Sequence, residues 1–198
     1  MNPISKPPCL LATRNKGKLR EIRAALSQAG IDLRDLPEPD EVPDALESGS
    51  TFSENARFKA RHYSNFTGLS VLAEDSGLSV DALDGRPGVH SARFASTDQE
   101  RIRKVLSMLA ALPEGTPRKA RFVSSICLLL PDRTIEVFGE AEGEIALSPR
   151  GEDGFGYDPI FYYPPAGKTF AEMTLQEKAE VSHRGRALKK LVEALNAL

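Results

Sequence analysis

The stretch AEDSG, residues 73 to 77, sets two acids side by side, Glu74 and Asp75, at the end of an apolar run. Adjacent carboxylates closing a short buried strand are costly unless they are paired, solvated or bound to a metal. Mg²⁺ takes hard oxygen ligands, typically one or two carboxylates completed by phosphate oxygens and water. Glu47, upstream of a helix start, is a candidate third carboxylate. On spacing alone, a solvated turn before Ser76-Gly77 explains the pair equally well.

A basic loop lies earlier, in LATRNKGKLREI, residues 11 to 22. It is not a Walker A loop, which needs a glycine five positions before its Gly-Lys and a hydroxyl residue after the lysine. Ala12 and Leu19 stand at those places. A loop that opens a helix still presents unpaired N–H groups and the positive end of the helix dipole. Thr13, Asn15, Lys16 and Lys18 add donors and charge. Taken alone, the stretch is better read as an ordinary strand-to-helix turn.

Two later blocks complete the inventory. In GFGYDP, residues 154 to 159, glycines flank Phe155 and allow its ring to meet a flat ligand. A hinged strand with Phe155 and Tyr157 in the core is the plainer reading. In TLQEKAEVSHRG, residues 174 to 185, Thr174 and Glu177 form a capping-box pattern that puts Lys178 in a first helical turn. Lys178, His183 and Arg184 could converge on an anion or a carbonyl, or form a charged helical face.

The elements that must position these groups follow from periodicity and punctuation. A strand is expected over 8–13 and a helix over 17–29, stopped by Gly30. The acid- and Pro-rich segment to residue 50 reads as a long irregular loop. Thr51 and Glu54 box a helix over 52–66, with Phe52, Ala56 and Tyr63 inward and Asn55, Lys59 and His62 on the neighbouring stripe. The strand LSVLAEDSG follows, then a helix near 98–112 boxed by Thr97 and Glu100. Two antiparallel strands joined by PDR and a last helix over 184–197 complete an α/β pattern with a mixed sheet.

The 198 residues suit one domain, or one with a small lobe. A net charge of −2 argues against nonspecific nucleic-acid binding but leaves room for a local basic pocket. Cys9 and Cys127 suggest neither a disulfide framework nor a zinc site and are expected as buried thiols. The N-terminus lacks a signal-peptide core, and no stretch is long enough to cross a membrane, so the expected compartment is the cytoplasm.

The blocks LATRNKGKLREI, TFSENARFKAR, AEDSGLSVDALDGRPGVHSARFA, GFGYDPIF and TLQEKAEVSHRGRAL run in one order over nearly the whole chain. In this the sequence resembles the inosine triphosphate pyrophosphatases, which hydrolyse ITP, dITP and XTP to the monophosphate and pyrophosphate. Arg14 stands where relatives often have glycine, and Glu74 where many have aspartate. The resemblance implies one domain over 1–198, a mixed central sheet flanked by helices, and two lobes around a central cleft. It also implies Mg²⁺ dependence and a homodimer. Asp75 would be the general base and a metal ligand, with Glu47 helping to hold the metal. Thr13, Arg14, Asn15, Lys16, Gly17 and Lys18 would line the triphosphate, with Ser76 and Lys178 nearby. Phe155, Gly156, Tyr157 and Asp158 would cover base and sugar, and His183 and Arg184 would reach the purine. Two rivals are a pyrophosphatase for modified pyrimidine nucleotides and a noncatalytic nucleotide- or RNA-binding module.

Overall fold

The computed structural model describes residues 8–27 and 29–197. The N-terminal residues used in the signal-peptide argument, up to Pro7, and Gln28 of the first expected helix lie outside them. Among the described residues, seven strands form one mixed sheet in the order β2-β1-β3-β4-β5-β6-β7. These are β1 (Cys9–Ala12), β2 (Leu33–Arg34), β3 (Ser70–Val80), β4 (Lys119–Leu129), β5 (Thr134–Ile145), β6 (Phe161–Tyr163) and β7 (Lys168–Thr169). β1 pairs in parallel with β2 and β3, and every later pairing is antiparallel. The expected mixed α/β architecture is therefore present.

Five α-helices among the described residues cover the sheet: α1 (Lys16–Leu26), α2 (Phe52–Thr67), α3 (Asp98–Ala110), α4 (Leu175–Val181) and α5 (His183–Asn196). The three anticipated capping boxes all form, at Thr51/Glu54, Thr97/Glu100 and Thr174/Glu177. Each satisfies two N–H groups that the helix start leaves open. α1 ends three residues early, at its last buried side chain, Leu26. Ser182 ends α4 and also caps α5 by accepting the Gly185 N–H, which makes a tight bend between them.

β3 alternates its side chains between the two faces of the sheet. Leu72 packs with Ile22 and Leu26 of α1 and Leu188 and Leu191 of α5. Val71 and Ala73 pack on the other face with Ala56, Ala60 and Tyr63 of α2. A third cluster lies further along the strands, where Leu78 and Val80 meet Val105 of α3, Phe122, Phe161 and Phe170. Cys9 belongs to the first cluster and Cys127 to the second, so the sheet separates them and both remain free thiols. Burial pushes Cys9 up to about 12 and Cys127 up to about 11. Among the described residues, no helix is long and apolar enough to cross a membrane.

Candidate active site

The cleft begins where β3 outruns β1. The β1 ladder stops at Ala12, opposite Ala73, while β3 continues through Glu74 and Asp75 to Val80. The expectation that the acids close their strand is therefore corrected. They sit mid-strand, paired with Ile126 and Ser125 of β4, and it is the neighbouring strand that ends beside them. The long apolar partner β4 extends the pairing past the carboxylates. Because side chains alternate, Glu74 turns toward α1 and α5 and Asp75 toward α2.

Glu74 is 1% exposed and anchors two cations. Lys18 Nζ lies 2.8 Å from its Oε2. Its Oε1 accepts from Ser124 Oγ at 2.8 Å and from Arg184 Nη2 at 3.1 Å. Burial works to raise this carboxyl, but Arg184 and Lys18 outweigh it and hold it well below the usual range. Burial depresses Lys18, with Glu74 offsetting only part of the effect. Arg184 also donates to Ser76 Oγ at 2.9 Å and to Glu21, and Glu21 binds Lys178 at 2.7 Å.

Asp75 faces a different set. Asn55 donates to its Oδ2 at 3.1 Å. Lys59 Nζ lies 3.2 Å from its Oδ1, 2.8 Å from Glu47 Oε1 and 2.8 Å from the Glu74 carbonyl. Arg93 donates to the remaining Glu47 oxygen at 2.8 Å. Burial raises Asp75 above its ordinary value despite Lys59 and Lys18, so it is a stronger base than an exposed aspartate. Glu47 is lowered: burial would raise it, but Lys59 and Arg93 prevail.

The opposite wall is built from the Gly-Phe-Gly-Tyr-Asp segment. A Cβ on Gly17 would lie 2.3 Å from the Phe155 ring, so the basic loop and the aromatic wall touch through an absent side chain. Lys178 Nζ stands 4.9 Å from the centre of that ring. Asp158 is 2% exposed, accepts the Phe155 N–H at 2.8 Å and pairs with Lys178. Burial raises it, against the pull of Lys178. His183 stacks on Phe122 with ring centres 4.6 Å apart, and its Nδ1 has no partner among the described residues.

The cleft brings together Asn15, Lys18, Glu47, Asp75, Ser76, Phe155, Gly156, Tyr157, Asp158, Lys178, His183 and Arg184. Tyr157 also serves the core, donating its hydroxyl to the Ser91 carbonyl at 3.0 Å. Four residues of the basic loop lie outside the lining. Thr13 Oγ1 accepts the N–H of Asn15, the cleft residue that caps α1, at 3.2 Å, while Lys16 is exposed and Gly17 backs Phe155. Arg14 points away, holding Asp44 at 3.0 Å and the Pro37 carbonyl at 2.7 Å, which ties down the acidic loop. A larger hollow of about 680 Å³ lies along β4 and β5, but none of its carboxylates is buried and Arg121 already binds Asp81.

Sequence reasoning missed Glu21, Asn55, Lys59, Arg93 and Phe122 as site residues, and it paired Glu74 with Asp75 as a candidate metal-binding carboxylate, whereas the structure gives Glu74 to Lys18 and Arg184. The Asn55–Lys59 spacing did mark one stripe of α2, but a polar stripe on a helix ordinarily faces water. Phe122 carried no signal, since an aromatic in a strand reads as core.

A mixed sheet whose cleft joins buried carboxylates, ammonium groups and an aromatic wall defines a protein equipped to hold a polyanion beside acids. The profile of the Ham1 family matches residues 9–194, and the chain belongs to that family. It is 50% identical to the dITP/XTP pyrophosphatase of Symbiobacterium thermophilum, over 98% of each chain. It is 51% identical to that of Thermus thermophilus, over 93% of this chain and 90% of the relative. A HAM1 protein structure from Coxiella burnetii superposes with a TM-score of 0.86 at 44% identity, covering 98% of this chain and 100% of that one.

Proposed function

We propose that this chain hydrolyses nonstandard purine nucleoside triphosphates (ITP, dITP and XTP) to the monophosphate and pyrophosphate, removing deaminated purines from the nucleotide pool. The observation that carries this is the juxtaposition of Asp75 with Lys18 and the Phe155 wall in one cleft, in a chain half identical to named dITP/XTP pyrophosphatases. Water attacks the α-phosphorus in line. Asp75 takes the proton as the new P–O bond forms, and the α–β bridging P–O bond breaks to release pyrophosphate. Lys18, with Lys178 nearby, meets the charge moving onto the leaving group. A buried base positioned in this way contributes roughly 10²–10⁴-fold.

Glu47 and Asp75 suit Mg²⁺, since their oxygens are hard donors and already share one cation, the Lys59 ammonium. Bound there, the metal would neutralise phosphate charge. Among the described residues no group of three or more His, Cys, Asp and Glu gathers, so phosphate and water would complete its shell.

Phe155 and Gly156 cover base and sugar. Arg184 or a wall amide pairs with the 6-carbonyl of hypoxanthine or xanthine and meets the 6-amino group of adenine donor to donor. Sites built on such bonds can discriminate by about 10⁴-fold. The remaining basic-loop residues, Thr13 to Gly17, shape the triphosphate end.

The same reading takes residues 1–198 as one domain with two lobes, supported by hydrophobic clusters on either side of the cleft. It includes a cytoplasmic homodimer, to be tested by light scattering. The function is tested by incubating the protein and Mg²⁺ with ITP, dITP, XTP, ATP, GTP and modified pyrimidine triphosphates, assaying pyrophosphate and orthophosphate separately. Pyrophosphate from the first three is expected; orthophosphate would reject attack at the α-phosphorus.

A further inference from the structure

The aromatic wall is held from outside the cleft. Asp98, the first residue of α3, accepts the Gly156 N–H on Oδ2 at 2.8 Å, across 58 residues of sequence. Gly156 has φ of +63°, in the left-handed region that disfavours a side chain, so its amide direction is fixed by a backbone few residues adopt. Arg101, one turn along α3, donates to Asp98 Oδ1 at 2.6 Å and to the Ala95 carbonyl at 3.0 Å. That clamps the carboxylate toward Gly156. Arg101 itself lines the cleft, whereas Asp98 does not. The two neighbours of Gly156 are also tied, Phe155 through its N–H to Asp158 and Tyr157 through its hydroxyl to Ser91. Of these three ties, the Asp98 bond is the one that fastens the wall to α3.

We propose that Asp98, oriented by Arg101, is a positioning residue for the nucleotide: it fixes Gly156 and thereby the Phe155 ring against Gly17. The proposal rests on the hydrolysis described above for its kinetic consequence. Asp98 touches no reacting atom, so its loss weakens nucleotide binding more than it slows the chemical step. Positional errors of about an ångström in such elements can change rates markedly.

The test compares D98A, D98N and T97A. Threonine 97 caps the same helix, so T97A weakens α3 while leaving the Asp98 carboxylate in place. Amide exchange of the 154–158 segment is followed without nucleotide, and KM and kcat are measured with ITP. In D98A the Gly156 amide is expected to exchange about tenfold faster and KM to rise about tenfold, the scale of one hydrogen bond to a charged group. In the same variant kcat stays within about threefold. D98N retains an accepting oxygen and recovers most of both effects. T97A lowers the melting temperature but moves neither exchange nor KM.

Unchanged exchange in D98A overturns the proposal, as does faster exchange with unchanged KM, or an equal KM shift in T97A. Should D98A fail to fold, R101Q, which removes the clamp and keeps the carboxylate, is expected to shift exchange and KM in the same direction by less; no shift overturns the proposal. A wild-type protein that hydrolyses no triphosphate would reject the function, while the exchange measurement still decides whether Asp98 fixes Gly156.

Discussion

Lys59 Nζ and Asp75 Oδ1 stand 3.2 Å apart, and the same ammonium reaches Glu47 Oε1 at 2.8 Å. One cation thus joins two carboxylates from different parts of the chain. Burial would depress Lys59, but Asp75 and Glu47 prevail and raise it, so the bridge stays charged. The arrangement sets a cation between the two acids before any polyanion arrives, and it lowers Glu47 while burial still leaves Asp75 raised.

Asp75→Asn should therefore keep the shape of the cleft and remove its base. Turnover of ITP is expected to fall by about 10²–10⁴-fold. Nucleotide affinity, read by calorimetry, should remain within a few-fold. Retention of most of the activity would take Asp75 out of the role.

Exhaustive chelation should abolish hydrolysis and added Mg²⁺ should restore it, because carboxylates otherwise repel a triphosphate. Activity that survives dialysis against excess EDTA would leave the cleft's own cations, among them Lys18 and Lys178, to neutralise the triphosphate and remove the metal from the account.

Glu74→Gln should be among the most destabilising single changes in the cleft. It leaves Lys18 and Arg184 close together without their shared counter-charge, and Arg184 is 2% exposed. Breaking a buried pair of this kind typically costs about 3–5 kcal/mol. A urea midpoint near wild type would show that the cations find other partners.

Gly17→Ala should displace the Phe155 ring, since the added Cβ would lie 2.3 Å from it. Overpacking of this kind costs roughly 1–3 kcal/mol, and KM for ITP should rise. Pairing the change with Phe155→Leu should recover part of the loss, because the two effects share one contact. Additive losses in that double variant would contradict the contact.

His183 gives the fold an acid-side weakness. Burial, reinforced by Arg184, holds it well below its ordinary value of 6.5, so the folded state keeps it neutral. Below about pH 6.5 the unfolded chain gains a proton that the native protein refuses. The stability is complete above that pH and lost as pH falls, by up to about 1.4 kcal/mol per pH unit. His183→Phe should flatten that slope between pH 7 and 5.5 in urea titrations; an unaltered slope would assign the weakness to another group.

The sequence by itself fixed what is local. Capping boxes at Thr51, Thr97 and Thr174 need only a hydroxyl and a glutamate three residues on, and all three form. Alternation and apolar runs likewise announced a mixed sheet, and the ordered blocks pointed to the family. What tertiary structure decided was which charge meets which. That β1 stops at Ala12 while β3 continues, laying Glu74 and Asp75 along an open edge, depends on two strands at once. Lys59 lies on a polar stripe of α2 that reads as solvated, yet the face packed on β3 turns its ammonium inward. Glu21 meets Arg184 across 163 residues, and Asp98 meets Gly156 across 58. Pairings of that range follow from how helices seat on a sheet, and a linear pattern of residue types holds no term for it.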